Sequence, residues 1–573
     1  MKQNIRLFRH QSSLWSKFLD WNPQLFREIK GKLKTRNVVI AAAISVITQF
    51  VAVISLLGQL PDPDPEGIFP TQYSRYCRGN GFDTPLTCTQ DMLGNWVINW
   101  QLLWLDLFII LSIISIFSLL IIGTYMLIAD TIKEESQGTL NFIRLAPQST
   151  GSILLGKVLG VPILLYSVIL LFLPLHLVSG LAAHIPTTLI LGFYGAIVAS
   201  CAFFYSLALL WSLINLGLPG LKPWLGSGIL AVFLFILTGA LFDGYVSLDN
   251  PLGWLFLFNP SLVLSYLIDA TYLPSSKIDF LSAENLSELL FLGQAFWTNA
   301  TIGIGLILFN FGLWTYWCWS IAKRRFLNPE KTLISKTQSY WLTGWFVAIA
   351  LGFTLQSTRQ NTLEDYFIFL QFFLGIWGLG LIAVLSPHRQ ALYDWSRYRH
   401  QVNQQGNVLW KELIFGENSP STIAVAINLL IAISYIAPSI LLHFNRDRYF
   451  LLWGFVLSAG SIVLLAVVAQ LILTSKTRKR AAVSIITVTS MIIVPPVCLG
   501  FAEINPHATH FVWLFSFVPT AVAEYATVSS LILAVLGQWL AIAVIGFQMT
   551  RKLKQAGASE TKMLMDRGAV LSD

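Results

Sequence analysis

The chain has 573 residues, of which 55% are hydrophobic and only 12% charged, with a mean hydropathy of +0.65 and a formal net charge of +8. A soluble domain carries about 25% charge, so the composition excludes one and points to an integral membrane protein with room for roughly a dozen spans of about 20 residues. The positive charge is not a nucleic-acid signature, because the basic residues fall between apolar runs.

The first residues are polar and basic, with no apolar run followed by a small-residue cleavage site, so no signal peptide is expected. Asn22-Pro23 reads as an N-cap followed by a first-turn proline. Leu25, Phe26, Ile29 and Leu33 then share one helical face, with Arg27, Lys30, Lys32, Lys34 and Arg36 around the other. That pattern predicts an interfacial helix lying on anionic lipid. Apolar spans are expected at about 38–58, 97–129, 153–180, 187–214, 227–242 and 297–322. A second set is expected at about 341–357, 366–386, 421–443, 451–474, 483–502 and 527–549, with the fifth and seventh spans the shortest.

Twelve spans put both termini on one side, and Lys and Arg decide which. Only Arg75, Arg78, Lys277, Arg359, Arg446 and Arg448 fall in outer loops, while the other 31 of the 37 basic residues fall inside. The termini are therefore expected in the cytoplasm, with Lys323-Arg324-Arg325 and the KTRKR run at 476–480 as topology anchors. Cys77 and Cys88 share the long outer loop with Asp62, Asp64, Glu66 and Asp83. In an oxidising compartment, with ten residues between them, they are expected to form a disulfide. Cys201, Cys318 and Cys498 fall in spans, where a lone cysteine packs as a small residue.

The stretch from Asp130 to Lys157, DTIKEESQGTLNFIRLAPQSTGSILLGK, joins two long apolar runs. Glu134 and Glu135 end one helix and Gly138-Thr139 break it. Leu140, Phe142, Ile143 and Leu145 then restore a short amphipathic helix, and Pro147, Gln148 and Ser149 turn the chain into the next. A short exposed helix with an apolar face and an acidic flank suits docking into a groove on a partner; an ordinary connecting loop has the same spacing.

The run of Glu134, Gly138-Thr139-Leu140, Pro147-x-Ser149 and Leu155-Gly156-Lys157 resembles the first cytoplasmic loop of the ABC type 2 transporter permeases. The resemblance implies that Glu134, Glu135, Gly138, Thr139, Leu140 and Pro147 form a coupling helix seated on separate ATP-binding cassette subunits, two copies or a heterodimer. ATP and magnesium would sit on that partner, with no cofactor on this chain and no enzymatic activity of its own. That family often has a second acid two residues before the glycine, where this chain has Ser136 and places its extra acid at Glu135. The helix predicted at 22–36 likewise resembles the family's elbow helix. The implied location is the plasma (inner) membrane of a bacterium.

The chain also repeats itself. WLFLFNPSLVLSY, Trp254 to Tyr266, returns as WLFSFVPTAVAEY, Trp513 to Tyr525, each copy lying between the fifth and sixth spans of its half. The expected fold is all-α, with about twelve transmembrane helices in two repeated six-helix halves. The expected boundaries are a tail and elbow helix at 1–37, a first half at 38–325, a linker at 326–340, a second half at 341–550 and a C-terminal tail at 551–573. In the resembled family two such halves make one translocation pathway, which casts Trp254, Pro260, Tyr266, Trp513, Pro519 and Tyr525 as half-inserted helices at its outer mouth; plain packing is the competing reading.

Other chemistry is sparse. GSILLGKV, Gly151 to Val158, is close to a phosphate-binding loop, but Val158 replaces the magnesium-ligating hydroxyl and no strand precedes it. His176 and His184 read as isolated, and His507 and His510 lack a carboxylate frame. Asp106 is the clearest acid inside a span, and a lone Asp near the outer third is weak support for an ion-coupled carrier. The expected function is the membrane half of an ATP-driven exporter of a hydrophobic or amphipathic substrate, with a secondary, ion-coupled transporter as the alternative. An intramembrane enzyme would need a nucleophile or metal set that the sequence does not offer. The second-half loop matching Asp130–Lys157, roughly Ser386 to Ser421, has no Gly-Thr signature. It carries Arg389, Arg397 and Arg399, with Asp394 as its main acid before Lys411-Glu412, so the two loops are expected to couple unequally.

Overall fold

The computed structural model describes residues 21–61, 74–77, 88–89, 91–92, 95–214, 220–243, 250–273, 286, 289–356, 359–402, 406–444, 449–477, 479–505 and 509–570. The expected tail at 1–20 lies outside the described residues, as do Asp62, Asp64, Glu66, Arg78, Asp83, Lys277, Arg446, Arg448, Arg478 and His507. The chain divides into two compact units at Leu327–Asn328, with Asp249–Pro251 and Leu290–Gln294 belonging to the second.

The first unit contains α1 (Pro23–Lys32), α2 (Thr35–Leu57), α3 (Trp100–Phe117), α4 (Gly123–Ser136) and α5 (Thr139–Arg144). It continues with α6 (Thr150–Gly160), α7 (Ile163–Ala182), α8 (Thr187–Ser212), α9 (Lys222–Asp243) and α10 (Ala300–Leu327). The second contains α11 (Lys336–Thr354), α12 (Gln360–Leu385), α13 (Arg389–Val402), α14 (Gly406–Phe415) and α15 (Thr422–His443). It ends with α16 (Phe450–Leu473), α17 (Arg480–Phe501) and α18 (Val528–Val570). The described strands are two dipeptides, Leu290–Phe291 and Gln294–Ala295.

Among the described residues, eleven helices are long and apolar enough to cross a membrane. In hydrocarbon every backbone group must be bonded internally, which is why these apolar runs are helical. The protein is thus a multi-pass, all-helical membrane protein. The short fifth span expected at 227–242 is α9 and belongs to the eleven. The seventh, expected at 341–357, is α11 and falls outside them. Its first turns carry Lys336, Gln338, Ser339 and Tyr340, which shorten the apolar run.

Three elements depart from the expected outline. Helices α3 and α4 form one 37-residue rod, Trp100–Ser136, joined through a π-helical turn at Ser118–Ile122. The wider turn loosens the backbone bonding there, and the Tyr205 hydroxyl donates to the Leu119 carbonyl at 2.7 Å. The span expected at 153–180 is two helices, broken at Val161-Pro162, because Pro162 has no amide hydrogen to continue the ladder. Residues 551–570, expected as a tail, continue α18; Met549 and Leu553 pack with Leu392 of α13, and that contact carries the helix beyond its apolar section.

The disulfide expected between Cys77 and Cys88 is present, with Cα atoms 4.9 Å apart. Beside it, the Arg75 guanidinium donates to Asp106 at 2.9 and 3.2 Å, and the Tyr76 hydroxyl donates to Asp106 at 2.9 Å. Burial, and then the neighbouring Asp106 carboxylate, push the Tyr76 phenol above its usual range. Asp106 therefore has a fixed cation and donor. In intact cells or sealed right-side-out vesicles, an impermeant maleimide should label Cys77 and Cys88 only after reductant. Ready labelling without reductant, or labelling only from the opposite face, would contradict the expected bond or the expected topology.

The two copies of the repeated motif both form short helical turns. In the first copy Trp254, Pro260 and Tyr266 are buried, and the Tyr266 hydroxyl donates to the Trp297 carbonyl at 2.5 Å. In the second copy Pro519 is buried, the Trp513 indole donates to the Ile504 carbonyl at 3.2 Å, and Tyr525 is 45% exposed.

Candidate functional site

The loop between α4 and α6 is built from its ends inward. Gly138 adopts φ 72°, the left-handed conformation that ends a helix and that glycine adopts without steric cost. The Thr139 hydroxyl then donates to the Glu134 carbonyl at 3.1 Å, satisfying one of the open acceptors at the end of α4. The Ser149 side chain accepts from the Ser152 amide at 3.2 Å and caps α6. Gly138, Thr139 and Ser149 thus shape the loop.

Helix α5, six residues long, sits between these turns, and its apolar residues divide. Leu140 and Ile143 are buried in a core with Leu127, Ile153, Leu154 and Phe326. Phe142 is 77% and Leu145 83% exposed. Sequence spacing placed all four on one face, but a single turn and a half cannot bury them together, so two point inward and two outward. The Arg144 guanidinium lies 5.4 Å from the Phe326 ring centre and donates to Asn141 at 2.9 Å, bracing α5 against the end of α10. Burial lowers the Arg144 pKa, and Glu135 works against that shift. Glu135 and Pro147 are exposed. Around Phe142 and Leu145 the loop therefore shows an apolar tip with an acid beside it.

Glu134 behaves differently from Glu135. It is buried, and its carboxylate meets Lys157 at 2.5 Å and the Arg27 guanidinium of α1. Lys157, with 1% of its side chain exposed, also holds Asp130 at 2.8 Å. Lys32 bonds Glu28 at 2.9 Å and approaches Asp130 at 3.9 Å, while Arg27 reaches Glu28 at 3.1 Å. Burial works against the Arg27 charge, but the hydrogen bonds and fields of Glu28 and Glu134 outweigh it and raise its pKa. Three acids thus face three bases. The carboxylates of Glu28, Asp130 and Glu134 lie within 4.8 Å of one another, a spacing that would suit a metal ion, but the Lys157 ammonium is bonded to two of them. A second cation there would face Lys157, Lys32 and Arg27 at close range. The site fits a lysine and does not fit a metal ion.

Two of the bases, Arg27 and Lys32, come from α1. Its buried residues are Gln24, Leu25 and Glu28, and Leu33 is exposed. Helix α6 offers Gly156 and Gly160, four apart, and small residues at that spacing let helix backbones approach closely. A β-carbon on Gly156 would lie 2.8 Å from Asn22 Oδ1, and one on Gly160 would lie 2.5 Å from the Glu28 Cβ. The Asn22 side chain donates to the Ser152 carbonyl at 2.8 Å and accepts from the Leu25 amide at 3.0 Å, fixing the start of α1 on α6. Close packing and buried ion pairing therefore select the Gln24–Glu28 face, leaving Lys30, Lys34 and Arg36 exposed.

GSILLGKV lies inside this arrangement as part of helix α6, with Lys157 bonded to Asp130 and Glu134. Asn22, Arg27, Glu28 and Lys32 were not legible as partners of the loop, since they lie 98 or more positions before it. Their signal was an acid and an asparagine in an otherwise basic amphipathic helix. In the second unit, the segment matched to this loop folds as α13 and α14. Helix α13 packs along α18, with the Ser396 hydroxyl donating to the Leu553 carbonyl at 2.7 Å. Asp394 is exposed and pairs with Arg397 at 2.9 Å on the same helix. The Trp395 indole donates to Glu412 at 3.0 Å. The Lys336 ammonium ties down the end of α14 through the Leu413 carbonyl, the Ser419 hydroxyl and the Pro420 carbonyl at 2.6–3.0 Å.

The chain matches no family model, no curated protein and no solved structure.

Proposed function

We propose that this protein is the membrane-spanning permease subunit of an ATP-binding cassette exporter for a hydrophobic or amphipathic substrate. The reading rests on the loop between α4 and α6. Its exposed tip, Phe142 and Leu145 beside Glu135, is mounted on the long α3–α4 rod and locked to α1 through Glu134, Lys157 and Arg27. A rigid apolar knob of this kind suits insertion into a groove on a partner, and a rod 37 residues long carries its displacement through the depth of a bilayer. The partner is a pair of cassette ATPase subunits, identical or heterodimeric, that hold ATP and magnesium. The site is cytoplasmic, the membrane is the plasma (inner) membrane of a bacterium, and the two units are fused six-span halves whose repeated WLF motifs roof the outer mouth. Asp106, held by Arg75 and Tyr76, lends less support to an ion-coupled carrier than a free acid at mid-membrane would.

The purified chain is expected to hydrolyse no ATP, and to confer stimulated hydrolysis on a cassette subunit that copurifies with it. ATP hydrolysis by the chain free of other proteins, or failure of any cassette ATPase to associate when coexpressed from the same source, would count against this reading.

A further inference from the structure

Outside the loop, the first unit contains a cavity of about 470 Å³ between α3, α6, α7 and α8. Leu170, Leu173 and Val198, exposed residues of two membrane-crossing helices, form part of its wall, so it is open toward lipid. Its volume lies in the range of small-molecule sites, and like them it is mostly apolar with a few fixed polar groups. His176, Tyr194, Tyr166 and Tyr205 supply those groups. A buried ionisable side chain at membrane depth marks a functional site unless its partners account for it, and His176 is only 4% exposed.

The hydrogen bonds assign where each proton lies. Ser112 has one hydroxyl proton, donated to the Phe108 carbonyl at 2.7 Å. Its oxygen, 2.8 Å from His176 Nε2, therefore accepts, and Nε2 carries the imidazole proton. In the neutral ring Nδ1 is then an acceptor, so the Tyr194 hydroxyl, 2.8 Å away, donates to it. The Tyr166 hydroxyl donates to the Val158 carbonyl at 2.8 Å, and the Tyr205 hydroxyl to the Leu119 carbonyl at 2.7 Å. All three phenols on the wall have their protons engaged by the protein; Tyr166 and Tyr205 also neighbour each other, and the Tyr194 oxygen has an acceptor lone pair left over. The cavity is apolar, lipid-accessible and supplied with an acceptor at Tyr194.

We propose that this cavity binds a long-chain alcohol dissolved in the bilayer. Its hydrocarbon body lies along Leu155, Leu159, Leu170 and Val198, and its hydroxyl donates to the Tyr194 oxygen. A donor-bearing head pairs with that acceptor, whereas an ether head, which has no O–H to donate, leaves it unpaired. The Ser112–His176–Tyr194 chain holds Tyr194 in the accepting orientation.

The test uses the full chain in lipid nanodiscs with a hexadecanol probe carrying a mid-chain diazirine and a terminal alkyne. After irradiation, labelling is expected between residues 155 and 205. Unlabelled hexadecanol should displace the probe roughly tenfold better than its methyl ether, about 1.4 kcal/mol. Tyr194→Phe should abolish that preference, and Ala202→Trp, which fills the cavity, should abolish labelling there. Equal competition by alcohol and ether in the unaltered chain would overturn the proposal in favour of a groove that any hydrocarbon fills. Labelling that survives Ala202→Trp in folded protein would overturn it as well. The competition ratio in the unaltered chain decides the matter even if a substituted chain fails to fold. No step uses ATP, so a failure here leaves the transport reading standing.

Discussion

Lys157→Met is expected to destabilise the protein by about 3–5 kcal/mol, the usual cost of removing one partner from a buried ion pair. Lys157 is fully enclosed and is the cation shared by Asp130 and Glu134. Without it, Arg27 and Lys32 remain at the edge of the cluster, with side chains 49% and 26% exposed, and their charges are partly screened by water. Two carboxylates would then be held near Glu28 without adequate compensation. The double substitution Lys157→Met with Glu134→Gln removes one charge of each sign and should recover most of the loss. Thermal unfolding in a mild detergent, followed by loss of the monodisperse peak, measures both. Millimolar calcium supplies a further readout: the single variant exposes three carboxylates at metal-ligating spacing and should gain stability from calcium, while the unaltered chain should not. A single variant that melts within about 1 kcal/mol of the unaltered chain, or that ignores calcium while the unaltered chain responds, would show that the cluster does not bear on stability as argued.

How far the sequence revealed this arrangement depended on whether the relevant signal was local. Span positions were legible because 20 apolar residues in a row have few alternatives to a membrane helix. The loop ends were legible because Gly138, Thr139 and Ser149 act on their own neighbours. The disulfide followed from two cysteines in one loop. What the sequence could not give was the choice of face in short amphipathic helices. In α1 it is set by Gly156 and Gly160, more than a hundred residues away, and by acids whose partners lie on other helices. In α5 a length of six residues leaves periodicity undefined. His176 read as isolated for the same reason, since Ser112 is 64 residues away and reaches it only because α3 and α7 pack together. Glu134 and Glu135 were equivalent in sequence. In the fold one is part of the internal lock and the other faces outward, and that difference changes which residue tests coupling.

Phe142→Asp and Leu145→Asp should each abolish stimulation of the cassette ATPase while leaving expression and melting temperature close to those of the unaltered chain. Both side chains are exposed and contribute little to the unit's own core, so on the proposed function the substitutions act on the contact with the partner. A central apolar anchor in such a groove is worth about 2 kcal/mol or more, roughly thirtyfold in affinity. Glu135→Lys should weaken coupling less, because a rim charge mainly alters association rate and salt dependence. Asp394→Lys in the second unit should cost less than about fivefold: Asp394 is exposed, pairs locally with Arg397, and an exposed pair of that kind contributes under about 1 kcal/mol. Glu134→Lys is not a clean probe of the contact, since it would set four cations together and act through folding. Helix α13 has one face against α18 and carries Arg397 and Arg399, whereas the first loop carries Glu135, so on the proposed function one partner surface is not expected to receive both loops unchanged. The ratio of ATPase stimulation in the Phe142→Asp and Asp394→Lys complexes measures the asymmetry directly. If Asp394→Lys proves as damaging as Phe142→Asp, the second loop transmits an equal share of the force and the unequal-coupling idea fails.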